Sequence, residues 1–247
     1  MHYDKLNKNM NNETGKNFVS QNLEKEEILN TELQNINSLG TINIPKVDQK
    51  IHTLTIIGHI EGHIVAPPQN KTTKYEHIIP QLIAVEENPD IEGMLVVLNT
   101  VGGDVEAGLA ISELIHSLSK PTVTLVLGGS HSIGVPLATS GDYSFIAPTA
   151  TMTLHPIRMT GLVIGVPQTF KYFLKMQDRI IDFIVRTSDT ESEALMELMN
   201  STDELANDVG TILIGKEAVK YGLIDEIGGL DKAIRKLKDL IELRKKG

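Results

Sequence analysis

The sequence predicts an α/β domain in which helices cover a largely parallel, buried sheet, preceded by a polar tail. Three observations predict it. From about Ile51 onward, apolar runs of strand length alternate with segments of helical periodicity, the order that crossover connections produce. Those strand runs are nearly continuous in apolar residues, as in sheets covered on both faces. The first 40 residues, by contrast, hold nine Asn and very few large apolar groups, too little burial to offset chain entropy. The expected organisation is a low-complexity, disordered tail over residues 1–45 and one domain over 46–247. Within the tail, Leu23, Ile28, Leu29, Leu33 and Ile36 form a partial helical stripe, so a short docking helix is the alternative.

His52 to Gly58 is a β-branched run closed by glycine, which reads as a strand. Ile78, Ile79, Leu82, Ile83 and Val85 recur at helical steps over residues 75–87, and Asn88-Pro89-Asp90 stops that helix. Gly93 to Asn99 is a second strand. A helix comes next over 105–119, with Leu109, Ile111, Leu114, Ile115 and Leu118 on one side. Pro121 restarts the chain into a strand over 122–127. A short helix over 132–139 precedes short strands over 143–147 and 151–154. Residues 168–187 form one long helix with a stripe that includes Phe170, Phe173, Leu174, Ile180, Ile181 and Ile184. That stripe has no partner in the strand pattern, so it either covers the core or projects toward another subunit. A helix over 216–223, a turn over 225–229 and a helix over 230–244 finish the chain, and the basic end of the last helix suits its dipole.

Composition excludes several function classes. The 247 residues contain no cysteine, which removes disulfide scaffolds, thiolate metal sites and a cysteine nucleophile. Lys and Arg number 23 against 32 Asp and Glu, a net charge of −9, which argues against binding a phosphate backbone. Aromatics at 4% leave little for base stacking. No apolar run approaches the ~20 residues of a membrane span, and the N-terminus lacks the apolar core of a signal peptide. The expectation is a cytoplasmic protein that binds no nucleic acid, does not insert into membranes, and uses no cofactor and no metal.

Three glycine-rich segments succeed strands. In Asn99-Thr100-Val101-Gly102-Gly103-Asp104, paired glycines leave amides bare at a helix start, fit for an anion or an oxyanion. The alternative is a tight turn. In Gly128-Gly129-Ser130-His131-Ser132-Ile133-Gly134, a serine sits between strand and helix, where its hydroxyl is either an exposed nucleophile or a helix N-cap. Gly210 to Lys216 matches the spacing of a phosphate loop, but Glu217 stands where the magnesium-binding hydroxyl belongs, so that reading fails. His59 and His63 lack a third ligand and read as loop or surface residues. His155 ends a strand, where reactive groups collect at the rim of a parallel sheet. The order suggests that Ser132 attacks a carbonyl, His155 takes its proton, and the amides of Gly103 and Ile133 hold the oxyanion. An acid should orient the histidine.

These segments resemble the ClpP-type serine peptidases. Asn99 to Ile111 is similar to N-S-P-G-G-x-x-x-A-G-x-x-I, His131-Ser132-Ile133-Gly134 to A-S-M-G, and Thr153-Leu154-His155-Pro156 to M-I-H-Q-P. Glu217 to Asp225 is similar to E-A-x-x-Y-G-L-I-D. The likeness is collinear from about Ile51 to Gly229, and it leans toward members associated with protein export. It implies the ClpP/crotonase fold, with stacked βα units and a protruding handle at 168–187. It also implies peptide-bond hydrolysis by Ser132 and His155, on peptides or unfolded proteins, in a homo-oligomeric ring. An ATPase or export machinery is the further partner it raises.

The departures are specific. Thr100-Val101 replaces Ser-Pro. Residues 66–74 read as an insertion near the face that receives the ATPase. Pro136 must lie in the first turn of its helix or distort it. Counting back from Tyr221, the family's Asp falls on Gly210, so Asp208 is the candidate acid, with Asp203 as the other possibility. The alternatives are a non-catalytic assembly protein of the same fold that supports preprotein translocation, and an acyl-CoA enzyme of the crotonase kind.

Overall fold

The structure is a computed structural model that describes residues 50–158, 164–202 and 209–246. The expected tail and both acidic candidates, Asp203 and Asp208, lie outside the described residues. Among the described residues eight strands form one sheet whose main path runs β2-β1-β3-β4-β5-β8, parallel throughout. These are β1 (Ile51–Glu61), β2 (Thr72–Lys74), β3 (Gly93–Gly103), β4 (Thr122–His131), β5 (Tyr143–Ile146) and β8 (Glu226–Ile227). Off that path, β6 (Thr151–Leu154) pairs parallel with β4, and β7 (Thr211–Ile214) pairs antiparallel with β6. The sheet therefore forks: β4 pairs with β5 from Val123 to Val126 and with β6 from Gly129 to His131.

The alternation of β3 shows why both faces are covered. Leu95 joins Val123, Leu125 and Phe145 under the last helix, α7 (Leu230–Lys246), through its Ala233, Leu237 and Ile241. Met94, Val96 and Leu98 point the other way, as successive strand residues must. They meet α1 (Tyr75–Glu87), α2 (Val105–Ser117) and α3 (Gly134–Thr139) in the larger core. Pro136 is the third residue of α3, inside its first turn, where a missing N–H breaks no helical bond.

The long helix, α4 (Val166–Arg186), starts two residues earlier than its apolar stripe indicated and divides in two. Its second half buries Met176, Ile180, Ile181, Phe183 and Ile184. Arg179 fixes this half to α2 by a two-pronged pair with Glu106, at 2.7 and 3.0 Å. In the first half, Phe170 and Tyr172 stay 61% and 51% exposed. Among the described residues no helix is long and apolar enough to cross a membrane.

Several elements differ from expectation. Thr72–Lys74, read as part of an insertion, is the edge strand β2, and the Thr73 hydroxyl both accepts from Ile57 N–H and donates to Ile57 O. Helix α5 (Ser192–Asn200) and strands β7 and β8 were not expected. They are short, and their partners are remote in sequence. Strands β1, β3 and β4 run three or four residues past their apolar runs, because backbone pairing continues through glycine and polar residues there. The helix expected over 216–223 is shorter, α6 (Lys216–Lys220).

Candidate active site

The extra length of β1, β3 and β4 is what builds the site. Toward its end β3 slips against β1: Gly58 pairs with Thr100 and His59 with Gly102, so Val101 is an extra, bulged residue, 65% exposed. Such bulges bend a strand and re-aim the residues beyond them. Here those residues are Gly102, at φ +86°, and Gly103. A Cβ on Gly102 would lie 2.6 Å from His131 O and 2.9 Å from Ser132 Cβ. Only glycine lets the two turns touch. Asp104 then caps α2, its carboxylate accepting Ala107 N–H at 2.8 Å.

Ser132 lies just past β4 and, among the described residues, is the one non-glycine residue with positive φ, at +57°. That conformation costs about 1–3 kcal/mol and persists only where its surroundings impose it. Here Ser132 N–H donates to Thr153 O at 2.8 Å, and Ser132 O accepts Val135 N–H at 3.0 Å. The N-cap of α3 is Ile133, with no side-chain cap bond, so the Ser132 hydroxyl is not a helix cap. Ile133 is right-handed (φ −66°, ψ −6°), and a left-handed residue before a right-handed one turns successive amides toward one point. Among the described residues Ile133 N–H has no acceptor. Helix α2 backs this turn closely: a Cβ on Gly108 would lie 2.4 Å from Ile133 Cγ1.

His155 lies just past β6. Its Nδ1 is 2.7 Å from Pro156 O, and a carbonyl only accepts, so Nδ1 carries the proton and Nε2 is the basic nitrogen. Gly210, where the family count places an acid, lies against this histidine. A Cβ there would sit 2.2 Å from Leu154 O and 2.9 Å from His155 Cβ. Among the described residues no carboxylate meets the His155 ring, and no hydrogen bond joins His155 to Ser132 Oγ. His131 has a different role: its Nδ1 pairs with Thr153 Oγ1 at 2.8 Å, bracing β4 against β6, and burial pushes its pKa below the usual 6.5. His63 meets Tyr75 Oη at 3.2 Å. Among the described residues no three His, Asp or Glu side chains are grouped to hold a metal.

Gly103, Ser132, Ile133 and His155 line one cavity of about 170 Å³. The structure thus brings four of the five expected site residues together; the fifth, Asp208, lies outside the described residues. The rest of the wall is mostly apolar and includes Val135, Ile180, Ile184 and Met199. Sequence reasoning missed the contributions of α4 and α5 to this wall. The unpartnered stripe of α4 was the available signal. The arrangement suits a nucleophile, a base and an anion-holding turn beside a slot for one apolar side chain.

A family model described as Clp protease matches residues 48–230. The chain is 61% identical over 211 residues to translocation-enhancing protein TepA of Halalkalibacterium halodurans, spanning 85% of this chain and 82% of that protein. It is 29% identical over 155 residues to the ATP-dependent Clp protease proteolytic subunit of Streptococcus sanguinis, 61% of this chain and 76% of that one. Against the subunit of the same name from Deinococcus radiodurans it is 28% identical over 155 residues, 61% and 72% of the two chains.

Proposed function

Because this chain belongs to the Clp protease family, we propose that it is a serine peptidase in which Ser132 attacks a peptide carbonyl and His155 is the base. The observation that carries this reading is the strained Ser132, facing one cavity with His155 and with the unpaired Ile133 amide. Nε2 of His155 takes the hydroxyl proton as Oγ bonds to the carbonyl carbon. The amides of Gly103 and Ile133 stabilise the oxyanion, each donor being worth about 10²–10³ in rate. His155 then hands the proton to the departing amine, and water releases the acyl group by the reverse sequence. The apolar wall takes a large apolar side chain next to the scissile bond.

Asp208 is the proposed third member. It is two residues from Gly210 in sequence, and Gly210 lies against His155. A carboxylate that orients the base is worth on the order of 10⁴ in rate. The substrates are peptides or unfolded proteins. The ring and its cytoplasmic setting are part of this proposal; exposed Phe170, Tyr172 and Leu174 on α4 support self-association, and the name of the TepA relative supports a role in protein export.

The test is labelling by a fluorophosphonate, which needs an activated serine. The wild type should react and Ser132→Ala should not; equal labelling of both, or of neither, rejects the reading. One observation favours a second reading, a non-catalytic export scaffold: Ser132 and His155 are not hydrogen-bonded to each other. A secretion defect rescued by Ser132→Ala would favour the scaffold.

A further inference from the structure

We propose that Thr100 is the positioning residue that holds the oxyanion turn in register with the nucleophile turn. This rests on the peptidase reading above and adds a residue to it. Thr100 is 1% exposed and sits at the slip between β1 and β3. Its hydroxyl uses both of its functions there, donating to Gly58 O at 2.6 Å and accepting Gly102 N–H at 3.1 Å. The second bond decides the geometry. A Gly-Gly pair is the least restrained dipeptide a chain can contain, so its amides hold one direction only when something external fixes them. With Gly102 N–H tied to Oγ1, the peptide plane before Gly102 is set, and the next amide, that of Gly103, starts from a fixed point.

The methyl group of the same side chain reaches the other turn. A Cβ on Gly134 would lie 2.8 Å from Thr100 Cγ2, so the methyl packs onto the residue two after Ser132. A β-branched side chain is stiff at χ1, and hydroxyl and methyl keep a fixed angle to one another. One locked side chain thus touches the Gly102-Gly103 turn with its oxygen and the Ser132 turn with its carbon. Preorganised donors stabilise a transition state because they need no rearrangement when charge develops. Thr100 supplies that preorganisation without touching substrate.

The test separates hydroxyl from shape. Thr100→Val keeps the branched shape and removes the hydroxyl; Thr100→Ser keeps the hydroxyl. With a fluorogenic peptide ester, Thr100→Val should lower kcat by about 10–100-fold with KM within about threefold, since a misplaced donor acts on the transition state. Thr100→Ser should recover most of kcat. Hydrogen exchange gives a readout independent of turnover: the Gly102 amide should exchange at least tenfold faster in Thr100→Val and at the wild-type rate in Thr100→Ser. Unchanged Gly102 exchange in Thr100→Val overturns the inference. So does a Thr100→Val enzyme with wild-type kcat, and in both cases the peptidase reading survives. A wild type that neither labels nor hydrolyses removes the peptidase reading, and the role of Thr100 goes with it.

Discussion

Replacing Gly102 by alanine puts a methyl group where the two turns of the site meet. At φ +86° a residue with a Cβ loses about 1–2 kcal/mol to its own backbone. The new carbon would lie 2.6 Å from His131 O and 2.9 Å from Ser132 Cβ, against an ordinary carbon separation of about 3.5–4.0 Å. Neither neighbour is the loose end of a side chain, so the Ser132 turn itself must move by roughly 1 Å. Overpacking of that size costs about 1–3 kcal/mol, and the stiffer unfolded chain returns about 0.4–1 kcal/mol. The net loss is about 1–5 kcal/mol, or a fall in Tm of roughly 2–20 °C for a domain of this size. Activity should fall further than stability, because a 1 Å misplacement at a reacting group costs about 10² in rate. The assay pairs thermal unfolding by circular dichroism with the fluorophosphonate labelling rate, measured well below the lowered Tm. Gly229→Ala is the control, since the nearest atom to its Cβ would be Asp231 Oδ1 at 3.7 Å, an ordinary contact. A Gly102→Ala protein that labels within twofold of wild type refutes the reasoning, and so does an equal loss in Gly229→Ala.

Asp225, at the end of the E-A-x-x-Y-G-L-I-D segment, should prove structural. Its Oδ2 accepts Ser144 N–H at 2.7 Å and the Ser144 hydroxyl at 2.6 Å, and Asp225 N–H donates back to Ser144 Oγ at 2.9 Å. Asp225→Ala strands those groups on buried Ser144 and should cost about 1–3 kcal/mol by urea unfolding; a lower labelling rate per folded molecule would contradict the assignment. Stability should also fall on mild acidification. Burial holds His52 and His131 below their usual pKa of 6.5, and His52 Nε2 is buried without a partner. Below pH 6.5 the unfolded chain therefore binds more protons than the folded one, and stability drops until the lowered folded values are passed. Tm should be lower at pH 5.5 than at pH 7.5, with a shallower slope in His52→Leu, and an unchanged slope in that variant would exclude His52 as a source. Glu86 and Glu92 titrate in a separate window, below 4.5, because the side chain and amide of Ser119 favour the charged form of Glu86, and Lys245 with Lys50 that of Glu92.

What the sequence determined by itself was the part that depends on local chemistry. Buried parallel strands are apolar whatever their partners, so β1, β3 and β4 showed themselves as runs, and helical spacing marked α1, α2, α4 and α7. Glycine pairs, a serine between strand and helix and a strand-end histidine are conspicuous because few residue types can do their chemistry. The tertiary structure decided what depends on remote partners. Strands β2, β7 and β8 have two to four residues each and exist only because a neighbour completes their ladders. Ser132 and His155 face one cavity because β4 pairs His131 with Thr153, a contact that no local preference encodes. The sequence left open whether the stripe with Ile180 and Ile184 covers the core or projects outward; these two residues are buried and also wall the cavity, since the packing of α4 determines which of its faces meets the site. The bulge at Val101 was equally hidden, because a slip in pairing belongs to two strands at once, and each strand alone carries no mark of it.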